Sequence, residues 1–448
     1  MTRHAVKRLP VDTGTSGWEA ISVRRSPVRT LDSDVNADWL IVGAGFAGLS
    51  AARRLSQLRP GERIVVLDAR EVATGPAGRN SGFMIDVPHN LSTGEYSVAD
   101  EAATALEIAH NRAAIAFAAD AAREYGMSAE TFDPSGKVNA AATERGITLN
   151  DNYARSLRRI GEECRVLDAA EMREVTGSRY YVNGLYTPGA VLIQPADYIR
   201  GLAAGLADKI DLFENSPVVE LAREGRLWRA RTDRGAVTAA KVILGVNGHI
   251  EDFGHFRGHL MHVFTYASMT AGFSQNQYGP GVTGAARWAV LPADPMGATV
   301  RKITTGGLSR IVIRTRFTYD PAIKVAEKRV ARIAAEQRTS FDARFPALRD
   351  VPMEFSWAGR LCLSRNHVPA FGEIEENLFS ACCENGLGTV KSTFAGMMAA
   401  ELATGTGSKQ LDDYGSQAQP SRLPPEPLAW IGVNLAIRWQ ELRAGREG

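Results

Sequence analysis

The first uninterrupted apolar run in the chain is Trp39-Leu-Ile-Val42, introduced by Asp38, and ordered structure is expected from about Asn36. A continuous run, rather than an alternating one, predicts a strand buried on both faces, as in a parallel sheet. Gly43-Ala-Gly45-Phe-Ala-Gly48 follows at once, and then Leu-Ser-Ala-Ala-Arg-Arg-Leu, good helix formers with one apolar face. Residues 63–67 (Arg-Ile-Val-Val-Leu) predict a second buried strand that ends at Asp68. Strand, glycine turn, helix, strand and acid stand in the order of a dinucleotide-binding βαβ unit.

Each residue type has a physical task there. Gly43 permits a tight turn, Gly45 lets a pyrophosphate approach the backbone, and Gly48 lets helix and strand pack closely. Phe46 and Ala47 open the helix, whose free N–H groups and partial positive charge attract phosphate. Asp68 lies 20 residues past Gly48, where a carboxylate can accept hydrogen bonds from ribose hydroxyls, with Ala69 and Arg70 beside it.

Further along, residues 99–125 are alanine-rich with charged punctuation and predict a long amphipathic helix. Helices are also expected at 151–163, 168–175, 196–208, 321–341, 389–403 and 428–443. Residues 226–246 alternate as a hairpin that runs into Lys241-Val-Ile-Leu-Gly-Val-Asn247-Gly248. From Phe264 to Phe317 the pattern predicts short strands rich in β-branched residues. Leu378–Cys382 predicts a buried strand ending at a glycine turn. A proline-rich linker (Pro420 to Pro427) precedes the last helix, which carries Trp430 and Trp439. Packing on its own domain or on a neighbouring subunit is favoured for that helix over a place on a membrane surface.

The glycine turn alone does not choose between nicotinamide and flavin. The loop Thr74-Gly-Pro-Ala-Gly78-Arg79-Asn80-Ser81-Gly82 does, because it resembles the "GaSgrNgG" segment of the D-amino-acid oxidase (DAO) superfamily of flavoproteins. A second stretch resembles the C-terminal return of the same family: Ser356-Trp357-Ala-Gly359-Arg360, Pro369-Ala-Phe-Gly372, then Asn377-Leu-Phe-Ser-Ala-Cys-Cys-Glu-Asn-Gly386-Leu387-Gly388-Thr389. Its spacing agrees best with the γ-glutamylputrescine oxidoreductase-like branch. The resemblance runs from about Trp18 to the C-terminal tail. It implies FAD as cofactor and an α/β fold: a Rossmann-type FAD-binding domain with a mixed or antiparallel-sheet substrate domain, the glutathione-reductase-2-like DAO fold. It also implies FAD contacts from Gly78, Arg79, Asn80, Ser81 and Gly82, from Val218, Asn247 and Gly248, and from Gly359, Gly386, Leu387, Gly388 and Thr389. Two departures stand out. Ala77 replaces the usual serine, and Leu387 stands where the family often has histidine.

Domain boundaries follow from this reading. Residues 1–36 form an N-terminal extension. Residues 37–90, 165–255 and 352–410 form a discontinuous FAD-binding domain. Residues 91–164 and 256–351 form the substrate domain, and 411–448 a linker and helix.

Composition adds exclusions. Lysine plus arginine (52) nearly balances aspartate plus glutamate (50), so no field draws nucleic acid. No apolar run is long enough to span a membrane. The four cysteines, Cys164, Cys362, Cys382 and Cys383, are too few for a disulfide scaffold and show no C-x-x-C spacing, so reduced thiols in a cytoplasm are expected and no metal site is. No apolar stretch follows the basic N-terminus, which argues against a secretory signal.

The expected reaction is oxidation of the C–N bond of a small amine or N-substituted amino compound by hydride transfer to flavin N5, followed by imine hydrolysis. An oxidase returning electrons to oxygen as hydrogen peroxide is the first reading. A dehydrogenase serving a quinone or carrier protein is the second, and a non-catalytic flavin-binding subunit the third. Self-association stays open. Lys391, one residue beyond a position where some amine oxidases of the superfamily carry a functional lysine, and His89, just after the flavin loop, are the catalytic candidates. Arg301, Lys302, Arg314 and Arg316 are candidates to pair with a substrate carboxylate. His259 and His262 are candidate pocket residues. Some relatives attach FAD through cysteine or histidine; Cys362 lies in a roughly suitable segment and Cys382 and Cys383 precede the glycine turn, but all three read as buried structural thiols.

Overall fold

The computed structural model describes residues 2–23, 27–88, 90, 100–279 and 281–448. Two large sheets and one three-stranded sheet hold the described strands. In the nine-stranded cofactor sheet, Val35–Val42 pairs in parallel with Ile64–Leu67 on one side and Ala236–Leu244 on the other. Asp211–Phe213 extends the row beyond Ile64–Leu67, and Leu378–Cys382 extends it beyond Ala236–Leu244, again in parallel. All five strands therefore end on one edge, at Val42, Leu67, Phe213, Leu244 and Cys382. Side chains such as Leu40, Ile41, Val65 and Val66 are buried, as the continuous apolar runs require.

Two helices leave that edge. Phe46–Leu58 follows the first glycine turn and Gly388–Thr404 follows the last. They touch so closely that a Cβ on Gly396 would lie 2.1 Å from the Ala47 carbonyl oxygen. Gly388–Thr404 is largely apolar and buried on most of its surface, with Lys391 reaching its open side.

The eight-stranded substrate sheet runs in the order Met353–Ser364, Leu260–Thr270, Leu308–Tyr319, Thr299–Thr305, Trp288–Pro292, Lys137–Ala141, Asn183–Thr187, Arg165–Leu167. Every pairing is antiparallel except Trp288–Pro292 with Lys137–Ala141. Its long strands, 11 residues at Leu260–Thr270 and 12 at Leu308–Tyr319, replace the short strands expected from the sequence. β-branched patterning marks strands but does not show where one ends when a bulge, as between Thr265 and Tyr266, lets it continue.

Sheet membership cuts across the expected domain boundaries. Arg165–Leu167, Asn183–Thr187 and Met353–Ser364 were expected with the cofactor domain, yet they pair in the substrate sheet. Glu101–Glu124, expected in the substrate domain, places Ala114, Ala118 and Ala121 in the cofactor-side core. The N-terminal extension is tied into the fold. Arg3–Ala5 pairs with Glu220–Glu224 at the edge of the cofactor sheet, and Trp18, on the helix Gly17–Ile21, is fully buried. These are long-range contacts that local pattern does not encode.

The last helix, Leu428–Ala444, lies on Leu308–Tyr319. Asn434 Oδ1 accepts from Tyr319 N at 3.0 Å, and Glu441 takes both Arg316 and Phe317 N at 3.0 Å. Leu428, Ile431, Leu435, Trp439 and Leu442 stay exposed. Among the described residues no helix is long and apolar enough to cross a membrane.

Gly48 is the tightest point of the turn: a Cβ there would sit 1.7 Å from the Gly43 carbonyl oxygen. Backbone cannot yield that far, so Gly48→Ala is expected to cost about 3 kcal/mol or more in urea unfolding of the apoprotein.

Candidate functional site

The site forms where the parallel strands end. Gly43 has φ +103°, a conformation that L side chains avoid, and its N–H donates to the Leu67 carbonyl at 2.7 Å. Asp68 closes the turn. Its Oδ2 accepts from Ala44 N at 2.7 Å and its Oδ1 from Arg70 N at 2.9 Å. Desolvation pushes its carboxyl up to about 6, against the pull of those two N–H groups. Val218 is a buried neighbour of this corner, where Ser216 N donates to the Asp68 carbonyl at 2.8 Å. Ala69 joins Asp68 to Arg70.

Gly45 is the N-cap of Phe46–Leu58 and brings no side-chain cap, which leaves the first-turn N–H groups for a ligand. A Cβ on Gly45 would meet nothing nearer than the Ala77 Cβ at 3.7 Å. The protein itself therefore does not demand glycine here, and the open cradle in front of a helix N-terminus fits a pyrophosphate.

The second loop is locked from four directions. Trp18 Nε1 donates to the Asn80 carbonyl at 2.9 Å and Trp357 Nε1 to the Arg79 carbonyl at 3.0 Å. Asn80 Nδ2 donates to the Ala77 carbonyl at 2.7 Å, while its Oδ1 accepts from Gly82 N at 2.9 Å. Gly78 has no room for a side chain, since a Cβ would lie 1.8 Å from the Ala73 carbonyl oxygen. The buried Arg79 guanidinium donates to the carbonyls of Thr74 (2.7 Å), Thr13 (3.0 Å), Ala358 (3.3 Å) and Gly14. The Arg79 side chain thus builds the loop. An N-terminal strap lies over this corner: Asp12 Oδ2 accepts from Arg70 and from Arg360, each at 3.1 Å.

The C-terminal turn reaches the same place. Thr389 Oγ1 donates to the Phe83 carbonyl, and Leu387 packs with Phe83 and Ile85. A Cβ on Gly359 would lie 3.1 Å from the Arg79 carbonyl oxygen. Gly386 has φ +87°, and Gly388–Thr404 starts at Leu387 with no side-chain cap. Asn247 Oδ1 accepts from Cys383 N at 3.1 Å, tying the end of Ala236–Leu244 to the turn, and Gly248 makes room for His262. Glu384 stands beneath this turn. Its Oε1 accepts from Cys362 N at 3.1 Å, its buried Oε2 has no partner, and desolvation pushes the carboxyl up to about 7.

The remaining candidates separate. Arg301 and Arg314 project toward the second loop and line one small cavity with Asn80, Ser81, Thr299 and Trp357. Arg301 donates to the carbonyls of Gly82 (3.1 Å) and Ile193 and lies 5.2 Å over the Trp18 ring, but its buried Nε has no partner. Arg314 donates from Nη2 to Thr299 Oγ1 at 2.8 Å, and its buried Nη1 has no partner. Burial lowers the two guanidiniums to about 9 and about 10, so both stay protonated at neutral pH. Lys302 is satisfied by the Thr283 and Ala285 carbonyls, and Arg316 by Glu336 and Glu441. His259 meets the Pro420 carbonyl at 2.6 Å and His262 meets Glu251 Oε2 at 2.6 Å.

Lys391 is engaged in an ion pair. Its Nζ pairs with Glu107 Oε1 at 2.8 Å, a half-exposed bridge to the helix Glu101–Glu124. His89 lies outside the described residues. Cys362, Cys382 and Cys383 are buried free thiols, and burial pushes Cys382 up to about 12, which suits packing and not nucleophilic attachment. Sequence reasoning missed Trp18, Asp12, Arg360 and Glu384. A tryptophan in a mostly polar N-terminal stretch and an acid directly after a buried strand were the available signals.

Comparison with known proteins gives the family. The DAO family profile, described as FAD dependent oxidoreductase, matches residues 38–402. A probable oxidoreductase, OrdL, of Haemophilus influenzae is 25% identical over 404 residues, 83% of each chain. Gamma-glutamylputrescine oxidoreductase of Escherichia coli is 25% identical over 411 residues, 87% of this chain and 89% of the relative. Among solved structures, glycine oxidase from Geobacillus kaustophilus superposes with a TM-score of 0.69 at 19% identity, covering 87% of this chain and all of that one. Iminodiacetate oxidase from Chelativorans sp. BNC1 gives 0.62 at 19% identity, covering 86% of this chain.

Two outcomes follow from the nucleotide corner. Gly45→Ala fits the apoprotein, so its urea midpoint should match wild type while FAD content after gel filtration falls at least about tenfold. Asp68 has a native pKa above its unfolded one, so the native state favours the protonated carboxyl. That contribution is present below about pH 4 and is lost as pH rises through about 6. Asp68→Asn removes this dependence. Its apoprotein should gain on wild type between pH 4 and pH 7 in urea unfolding, while it releases FAD more readily.

Proposed function

Because this chain belongs to the DAO family of FAD-dependent oxidoreductases, we propose that it oxidises the C–N bond of a small amino compound that carries a carboxylate, with oxygen as electron acceptor. Bound FAD supplies a hydride acceptor at N5, and the imine that leaves hydrolyses in water. The open cradle at Gly45, Asp68 and the uncapped turn at Leu387 are the groups that would hold it.

The observation that carries the substrate reading is Arg314 Nη1, a buried cationic donor with no partner, in a cavity it shares with Asn80 and Ser81 of the second loop. An unpaired buried guanidinium is costly, and a carboxylate making charge-assisted bonds offsets that cost. Arg301, with its own unpartnered Nε, adds a second cation. Together they do two things. They orient the carboxylate, and they lower the pKa of a nearby substrate amine, since like charge disfavours ammonium. Among the described residues lining this cavity there is no carboxylate and no histidine to stabilise the ammonium form. A neutral amine is the form from which hydride can leave. Relatives and structural neighbours bearing the names gamma-glutamylputrescine oxidoreductase, glycine oxidase and iminodiacetate oxidase support an amino compound as substrate.

The test is an anaerobic screen of amines with and without a carboxylate against the purified yellow protein, read as bleaching of the flavin band, followed by oxygen uptake with the active compounds. Reduction by no amine, or equal reduction by carboxylate-free analogues, contradicts the proposal. Slow oxygen uptake beside fast reduction of an artificial acceptor favours a dehydrogenase. Arg314→Met should raise KM for the carboxylated substrate about 100-fold, the loss of a charge-assisted pair, with a smaller change in kcat.

A further inference from the structure

At the edge of the cofactor sheet, three segments remote in sequence bring His4, His255 and Glu375 together. His4 sits on the edge strand Arg3–Ala5, His255 follows the turn Asn247–Glu251, and Glu375 ends the strand Ala370–Glu375. One donor atom from each lies within 4.8 Å of the others. His4 Nε2 is 2.7 Å from Glu375 Oε1, and His255 Nε2 is 3.3 Å from the same oxygen. None of the three takes part in the nucleotide corner or the arginine cavity. We propose that they form a binding site for one divalent transition-metal ion of the zinc type, with two imidazoles and one carboxylate as ligands and a fourth position open to water.

The distances suit that ion. Tetrahedral zinc with bonds of ~2.0–2.1 Å holds its ligand atoms about 3.3 Å apart. The His255 to Glu375 separation is already there, and the His4 to Glu375 contact opens to it by a small side-chain rotation. An unsatisfied group points the same way. His255 Nε2 is buried and has no hydrogen-bond partner, because its approach to Glu375 lacks hydrogen-bond alignment. A metal ion would use that nitrogen directly.

The surroundings hold the ligands in place. The His4 ring stacks on Trp228 at 6.3 Å and lies 4.9 Å from the His255 ring. Gly254 makes the room, since a Cβ there would lie 2.7 Å from His4 Nδ1. The side chains are only 14%, 15% and 23% exposed, so water reaches the cluster without flooding it. Imidazole and carboxylate donors favour zinc, nickel or copper over calcium or magnesium, which prefer all-oxygen shells. Such an ion would staple the N-terminal strand to the hairpin that continues into Leu378–Cys382.

The experiment uses untagged, FAD-loaded protein treated with EDTA, desalted and titrated calorimetrically with zinc chloride. The expected result is one zinc per chain and a rise in Tm of about 3 °C at zinc a hundredfold above Kd. His4→Gln and Glu375→Gln should each weaken zinc binding at least about tenfold while keeping the flavin spectrum and FAD content, which shows that they are folded. Wild-type protein without a stoichiometric zinc site overturns the proposal, whatever the variants do. Equal zinc uptake by wild type and His4→Gln overturns it as well, because the ion is then held elsewhere.

Discussion

The structure depends on the close packing of two helices that both start from the same edge of one parallel sheet. Phe46–Leu58 and Gly388–Thr404 are separated by more than three hundred residues, yet Gly396 stands almost against the backbone at Ala47. That approach is possible only because no Cβ intervenes. It makes the first and last glycine turns neighbours, each leading into a helix with no side-chain cap. Opposite ends of the chain thus supply the two positive poles that a long, anionic cofactor needs.

The second constraint is electrostatic. Arg79, Arg301 and Arg314 crowd around one loop, the first two buried and Arg314 half-buried with its Nη1 enclosed. Arg79 is fully engaged by carbonyl oxygens, so it sets the loop's shape. Arg301 is engaged in part and Arg314 least. This gradation separates a cation that builds from cations that can still bind. The indoles of Trp18 and Trp357 fix the loop's carbonyls, so the arginines face a rigid partner. Pre-organisation of this kind lowers the ordering cost of holding a small substrate.

Much of this was legible in the residues. The nucleotide turn could be read because each glycine answers a local backbone demand, at Gly43 through its positive φ and at Gly48 through contact with Gly43 itself. Helix Gly388–Thr404 and strand Leu378–Cys382 emerged where the pattern put them. Strand partnership was not legible. Met353–Ser364 carries family-like residues yet belongs to the other sheet, and Glu101–Glu124 packs on the cofactor side. Alternation marks a strand's faces and says nothing of its neighbours. The Lys391–Glu107 pair was not legible either, because the two residues come from helices far apart in sequence. His4, His255 and Glu375 share no spacing motif because three separate elements deliver them.

The central claim is that the two glycine turns hold a single FAD between them. A crystal structure of the FAD-loaded protein tests it most directly. The account predicts the pyrophosphate against the N–H groups after Gly45, the ribose at Asp68, and the flavin ring between the second loop and the helix start at Leu387–Thr389. Density for the flavin outside that crevice, or a cofactor that touches only one of the two turns, would contradict it.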